Sequence, residues 1–272
     1  MVDYTPSHQE RAHARLSASG AYIWLNCTMS PSLSEGVPRK SNKYADEGTL
    51  AHEYAQWRLA QLGIGKSSAA VNVSPEVKEL FETNLGVYLD YVESLAKQTD
   101  LYAVEKRVSL ARLWQNDKQK PPEVMFGTSD FVALVSHTDT ALGVVLHVVD
   151  LKFGAGVAVD PKDNSQGLYY ALGTYLTLPQ NIKPPDTIRI TIVQPRAKHP
   201  DGPIRHWDVA TVDMLDWAYS VLKPTVELIA ENDKTKLSIV EGKHCRWCPA
   251  ASGNCPEKRK TKATLAKAAF VD

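Results

Sequence analysis

Residues 143–153 read GVVLHVVDLKF. Apart from His147, positions 144–149 are apolar, and four of the six are valine. A continuous β-branched run of this length predicts a strand buried on both faces, the signature of a central strand covered by helices above and below. The run ends in Asp150-Leu151-Lys152. Side chains alternate along a strand, so Asp150 and Lys152 share one face. Placing a carboxylate and an ammonium at the end of so apolar a strand is expensive unless they pair or engage a metal.

Outward from this strand, the neighbouring segments read as a mixed sheet. Residues 124–136, VMFGTSDFVALVS, suit a strand with Gly127 at a bend, and carry Asp130 near its end. The turn signal HTDTALG at 137–143 predicts a hairpin between the two. Further strands are predicted over 101–110, 187–194 and 203–209. Helices are expected over 13–27, with Ser17 or Ser19 as cap and Ala21, Trp24 and Leu25 on one apolar face. Others are expected from about Gly48-Thr49 onward, over 75–98 behind Ser74-Pro75, over 164–177 and over 211–232. Residues 31–47 read as a loop. The expectation is an α/β fold over residues 1–272 as a single domain: a central mixed β-sheet flanked by helices. A helical N-terminal arm, 1–47, and a C-terminal segment, 236–272, complete it.

The chemistry-bearing residues gather around the sheet. Asp130 and Asp150 lie on strands that the hairpin makes adjacent. Two carboxylates converging on one point repel, and a divalent cation relieves that repulsion; hard oxygen ligands suit Mg²⁺ or Mn²⁺. Such an ion activates water and stabilises charge on a phosphoryl oxygen, and Lys152 is placed to assist. Taken alone, D-x-K also reads as a plain buried ion pair. His52, in GTLAHEYA at 48–55, is predicted on a helix ahead of the sheet, where a lone histidine reads equally as a packing residue. Gln166 and Tyr170 fall one helical turn apart and hence on one face. Glu105 reads either as an extra carboxylate or as a solvent-facing residue beside Lys106 and Arg107.

A second constellation lies at 244–256, HCRWCPAASGNCP. Cys245, Cys248 and Cys255 have the spacing C-x2-C-x6-C, and the fourth cysteine of the chain, Cys27, stands more than two hundred residues upstream. Thiolate-held metals and clusters take four ligands. Prolines directly after Cys248 and Cys255 accompany cluster-binding cysteines. Zinc is the alternative, with His244 as a substitute ligand, and unligated core thiols are the third reading.

Composition bounds the partners. Acidic and basic residues balance to zero net charge, so there is no global nucleic-acid signature and any such surface must be local. The C-terminal segment supplies one candidate, with Lys236, Lys243, Arg246, Lys258, Arg259, Lys260, Lys262 and Lys267 against Glu241, Glu257 and Asp272. No apolar run is long enough for a transmembrane helix, and the first residues lack an apolar signal core. The expectation is a cytoplasmic protein with no membrane partner, a reducing setting in which cysteines favour metal over disulfide.

In order and spacing, these pieces resemble the RecB-like branch of the PD-(D/E)xK nucleases. Gly48…His52 matches G-x-x-x-H, Gly127…Asp130 matches G-x-x-D, Asp150 and Lys152 match D-x-K, and Gln166…Tyr170 matches Q-x-x-x-Y. The cysteine layout resembles the iron–sulfur subgroup, which includes AddB-type helicase-nucleases and CRISPR spacer-acquisition nucleases. LSASGAYIWLNC…YADEGTLAHEYA also looks like a phage and prophage family of such nucleases, one expected beside a single-strand annealing or single-strand-binding protein. The resemblance implies a restriction-endonuclease-like fold and a metal-dependent DNA exonuclease of phage or prophage recombination in a bacterial host. Asp130, Asp150 and the backbone carbonyl of Leu151 would hold the metal, with His52 as a ligand or orienting group. Lys152 would be the catalytic lysine, and Gln166 and Tyr170 would position DNA or Lys152. A 4Fe–4S cluster would join Cys27 to Cys245, Cys248 and Cys255. Two departures stand out: Thr28 replaces the proline common after the first cysteine, and no proline precedes Asp130. The alternatives are a structure-specific endonuclease, and a non-catalytic DNA-binding protein with a zinc or iron–sulfur structural site.

Overall fold

The run at 143–153 does become the central strand. In the structure, a computed structural model, residues 14–38, 43–66, 69–117, 121–137 and 143–268 are described. Five strands form one sheet in sequence order: β1 (Tyr102–Ser109), β2 (Phe126–His137), β3 (Gly143–Leu151), β4 (Thr187–Val193) and β5 (Ile204–Ala210). The β1–β2, β2–β3 and β4–β5 pairs are antiparallel, and β3–β4 is parallel. The sheet is therefore mixed, with β3 in the middle. The predicted hairpin pairs as expected from Phe131↔Val149 to His137↔Gly143, although its turn residues 138–142 lie outside the described residues.

Alternation along the strands builds two cores. Val132, Leu134, Leu146, Val148, Ile188 and Ile190 face one way, and Phe131, Ala133, Val135, Val149, Leu151 and Val193 the other. The first core is roofed by the crossover helix α5 (Ser165–Leu176) and the C-terminal helices. The second is covered by α3 (Lys43–Gln61) and α4 (Pro75–Ala96). Local chemistry sets these helices: Ser74 Oγ accepts from Val77 N ahead of Pro75, and Asn164 Oδ1 accepts from Gly167 N. Helix α5 lies so close to the sheet that a Cβ on Gly167 would meet Ile190 at 2.5 Å. Phe131 and Val149 are fully buried, and truncating Phe131 to alanine would cost about 3–5 kcal/mol.

The N-terminal arm is more helical than its composition suggested. The predicted helix over 13–27 is a 3-10 turn, Ala18–Gly20, running into α1 (Ala21–Asn26), and His13 lies outside the described residues. Ser17 precedes the turn without a side-chain cap; its carbonyl instead accepts from Trp24 Nε1 at 3.0 Å. The stretch 31–47, expected as loop, carries α2 (Ser30–Ser34) and the start of α3 five residues ahead of Gly48, while 39–42 lie outside the described residues. Pro31 at the first turn initiates α2 rather than preventing it.

The helix expected over 211–232 is three pieces: α6 (Thr211–Trp217), a π-turn at Ala218–Leu222, and α7 (Lys223–Glu231). Pro224 has no amide hydrogen for the turn before it, and the π-turn absorbs that loss. Two 3-10 turns, Lys243–Trp247 and Pro249–Ser252, carry the cysteine segment, and α8 (Pro256–Ala268), not expected from the sequence, carries the basic run. Among the described residues, no helix is long and apolar enough to cross a membrane.

Candidate metal centre and cysteine seam

The sheet register assembles the acidic residues. Val104 pairs with Phe131 and Lys106 with Ser129, so Glu105 stands opposite Asp130. The β2–β3 ladder ends at Phe131↔Val149, and one step further Asp130 meets Asp150. Three carboxylates thus form a row across β1, β2 and β3. Asp130 lies inside β2 rather than near its end, because β2 runs on to His137. Glu105, Asp130 and Asp150 are all buried.

Backbone strain marks the row's first member. Glu105 has φ of 52°, in the left-handed region, which costs a non-glycine residue on the order of 1 kcal/mol. Ala103 packs into the α5-side core and Val104 into the opposite one, yet Val108 is again on the α5 side. The alternation of β1 slips by one at Glu105, turning its carboxylate into the site. The solvent-facing reading of Glu105 is therefore incorrect: flanking Lys106 and Arg107 hide a residue that a backbone kink turns inward.

Helix α3 brings His52 to the row. His52 Nδ1 lies 3.3 Å from Asp130 Oδ1, and Asp130 Oδ2 accepts from the Leu151 amide at 2.7 Å. One ligand atom each from His52, Glu105 and Asp130 lie within 4.8 Å of one another. On the other side, Lys152 Nζ sits 2.7 Å from Asp150 Oδ2 and donates to Gln166 Oε1 at 2.9 Å. Gln166 Nε2 in turn donates to the Tyr170 hydroxyl at 3.1 Å. A Cβ on Gly127 would meet the Tyr170 ring at 2.9 Å, so the glycine at the start of β2 makes room for that ring, where a bend was expected. All six predicted side chains, His52, Asp130, Asp150, Lys152, Gln166 and Tyr170, converge. The Leu151 side chain enters the α3–α4 core, and its backbone lies against Asp130.

The two aspartates are driven apart electrostatically. Burial raises Asp130, but the charge and hydrogen bond of His52, with Lys152 and the Leu151 amide, outweigh it and hold the carboxyl below its ordinary range. For Asp150 burial prevails, assisted by the charge of Asp130 and opposed by Lys152, and its carboxyl is raised. Burial lowers His52, yet Asp130, Glu105 and Asp150 overcome this and push it up to about 9. Carboxylates separated in this way by their surroundings can take different protonation roles. Tyr88 of α4 is a further neighbour that sequence reasoning missed. It is buried, and its hydroxyl is held well above its usual range by burial and by Asp130, Glu105 and Asp150. Its only sequence signal is a place in an apolar helix pattern, which gives no hint of the site.

The donor set fits a hard divalent ion. Mg²⁺ binds oxygen at about 2.0–2.1 Å, so opposed ligands sit about 4 Å apart, comparable with the span of the His52, Glu105 and Asp130 atoms.

The second constellation forms where the two ends of the chain meet. Met29 N donates to Ser238 O at 3.1 Å, and Ser238 N donates to Thr28 Oγ1 at 2.8 Å. Cys27 Sγ lies 3.7 Å from Ser238 O. Burial raises the Cys27 thiol, and Cys248 and Cys255 add to this, while backbone contacts at Val240 and Ser30 oppose it. Gly242 N donates to Cys245 Sγ at 3.4 Å. Cys27 is thus brought to the C-terminal cysteines across the chain. Among the described residues, no three of the thiols lie within 4.8 Å of one another, so they are not drawn into a closed shell. A lone tetrahedral zinc would need sulfurs about 3.8 Å apart, given a Zn–S bond of about 2.3 Å. His244 is buried with Nε2 2.9 Å from Val240 O, directed into the backbone.

The family profile described as "Protein of unknown function (DUF2800)" matches residues 13–272. The chain belongs to this family. The DUF2800 match takes in both constellations, from Cys27 through the sheet to Cys255. Among solved structures, that of SSO0001 is similar at 12% sequence identity and a TM-score of 0.35, covering 88% of this chain and 97% of that one.

Proposed function

We propose that this DUF2800 protein is a metal-dependent deoxyribonuclease of the RecB-like PD-(D/E)xK type, with a restriction-endonuclease-like core, acting as an exonuclease in phage or prophage DNA recombination. The observation that carries this reading is the row Glu105–Asp130–Asp150 across three strands, closed by His52 on one side and by Lys152 on the other. Asp130, Asp150, Glu105, His52 and the Leu151 carbonyl would hold Mg²⁺ or Mn²⁺. Such an ion supplies a water of lowered pKa and positive charge at a phosphoryl oxygen. The chain's own groups do the rest. Lys152 is a fixed ammonium, aimed by Asp150 and by the Gln166–Tyr170 relay, that neutralises charge developing on the scissile phosphate. Tyr170 stays a neutral hydroxyl because burial and the two aspartates disfavour its anion. Asp150, with Oδ2 2.7 Å from Lys152 Nζ, would join the ion to the lysine in one site.

In the same reading Cys27, Cys245, Cys248 and Cys255 hold a 4Fe–4S cluster that staples the N-terminal arm to the C-terminal segment. What supports it over zinc is the layout of one cysteine before the sheet and three after it, with prolines directly after Cys248 and Cys255. Closing a loop of more than two hundred residues is where a clasp restrains the unfolded chain most. DNA, with a single-strand annealing or single-strand-binding protein, is the partner this role calls for.

Anaerobically purified protein, given end-labelled single- and double-stranded DNA with Mg²⁺ or Mn²⁺, should release short products from ends, and Asp150→Ala and Lys152→Ala should not. Equal inertness of wild type and variants with every metal and substrate would remove the enzyme reading. A broad absorbance band near 400 nm, roughly where such clusters colour, accompanies the cluster. Colourless protein with stoichiometric zinc would replace it.

A further inference from the structure

Trp247 is 63% exposed, more than any other large aromatic side chain among the described residues. It ends the 3-10 turn Lys243–Trp247, between Cys245 and Cys248. The Arg246 guanidinium lies 5.2 Å from its ring centre. Nearby, His244 holds Val240 O at 2.9 Å, and its ring meets the edge of Tyr22 on α1 with centroids 6.2 Å apart. Tyr22 and Val240 are themselves 46% and 45% exposed. An apolar strip of Tyr22, Val240 and Trp247 therefore faces water.

The rim of this strip is positive. Lys243 and Arg246 are exposed, whereas the neighbouring acid Glu241 is engaged by Lys258 Nζ at 2.5 Å and Thr261 Oγ1 at 3.0 Å. The base beneath is stiff. Cys245 N bonds Gly242 O at 3.0 Å, Cys248 N bonds Cys245 O at 3.3 Å, and Ala251 N bonds Cys248 O at 3.1 Å. A rigid indole with few rotamers to freeze, next to a guanidinium, is a platform for planar π-faces carried on a polyanion.

We propose that Trp247 and Arg246, with Tyr22 and Lys243 beside them, form a base-stacking subsite for single-stranded DNA on the cysteine seam. This rests on the nucleic-acid reading above and adds strand preference to it. Unpaired bases expose a face to Trp247, while those inside a duplex are already stacked on each other. Phosphates of the same strand meet Lys243 and Arg246.

The test is fluorescence anisotropy of full-length protein with labelled oligothymidylate and a blunt duplex of equal length, with EDTA present to prevent cutting. Trp247→Ala should weaken oligothymidylate about tenfold or more, as loss of one base–aromatic stack predicts, and leave duplex binding within about twofold. Trp247→Phe should keep most of the affinity. Arg246→Gln should weaken binding and lower the slope of log K against log salt by about one. Wild-type affinity in Trp247→Ala would overturn the subsite and leave the nuclease reading standing. So would equal weakening on both DNAs, because stacking on unpaired bases discriminates between them. Absence of any DNA binding by wild type would remove both proposals, and the strip would then suit a protein partner.

Discussion

His52 on α3 and His147 in the middle of β3 are shifted in opposite directions, the first half-buried beside carboxylates and the second buried beside a guanidinium. His52 reaches Asp130 at the C-terminal end of β3 and is pushed up to about 9. His147, four positions inside β3, is lowered to about 4 by burial first, then by Arg189 and His137, with His206 adding and Asp208 opposing. The His137 and His147 rings lie 6.1 Å apart, and both nitrogens of His147 are buried without a hydrogen-bond partner among the described residues. Arg189 is committed to Asp208 through two bonds of 2.6 Å. Burial opposes the cation at both sites; at His52 the carboxylate row outweighs it, and at His147 the charge of Arg189 reinforces it.

The largest expected effect comes from removing the carboxylate that makes the difference. Under the proposed function, Asp130→Asn should cut nuclease activity more than about a hundredfold, since even outer-shell partners of a metal are worth about 10–100-fold. The same change should return His52 toward its ordinary value, visible in its imidazole NMR titration. A His52 that stays near 9 in this variant would contradict the electrostatic account.

Next come the two limbs of stability against pH, measured by urea unfolding with EDTA present. The folded-state value of His147 lies below its unfolded value of about 6.5, so the unfolded chain binds more protons in between. Stability should fall as pH drops from about 6.5 toward 4, by on the order of 3 kcal/mol in all. His52 lies above its unfolded value, so its contribution is complete below about 6.5 and is lost as pH rises through about 9, by a similar or smaller amount. His147→Leu should flatten the acid limb and cost little near neutrality, because an unpartnered imidazole gives way to an apolar side chain. An unchanged acid limb in this variant would assign it elsewhere.

Glu105→Gln comes third. It should weaken Mn²⁺ binding about tenfold, read by calorimetry, while far-UV circular dichroism stays that of wild type. Unaltered affinity would place Glu105 outside the ligand set. The smallest effect belongs to Arg189→Gln. Loss of the half-exposed Asp208 pair should cost at most about 1 kcal/mol. The acid limb should move only slightly toward neutral pH, because burial is the larger cause at His147.

Much of this arrangement was legible. The β-branched run at 144–149 named the central strand, and the turn signal after His137 made β2 its antiparallel neighbour, which set Asp130 beside Asp150. Helical spacing put Gln166 and Tyr170 on one face, and the relay through Lys152 follows. Less legible was Glu105, whose flanking cations imply solvent and whose inward turn depends on a left-handed kink. Tyr88 left no trace in the pattern, since a tyrosine at a core position of α4 looks the same whether or not three carboxylates lie nearby. The arm at 31–47 misled because proline, serine and glycine signal loops by composition, while Pro31 at a first turn starts a helix.

By itself the sequence determined the strands, the capped start of α4 at Ser74-Pro75 and which residues share a face, because those follow from local periodicity and short-range hydrogen bonding. Only the tertiary structure decided that β1 kinks to bring Glu105 opposite Asp130, that His52 arrives from α3, that Cys27 comes near Cys248 and Cys255, and that His52 and His147 shift in opposite directions. Each of these depends on groups far apart in the chain meeting where water is excluded. There burial and the sign of the neighbouring charges, which local sequence does not encode, together set the direction in which each group shifts.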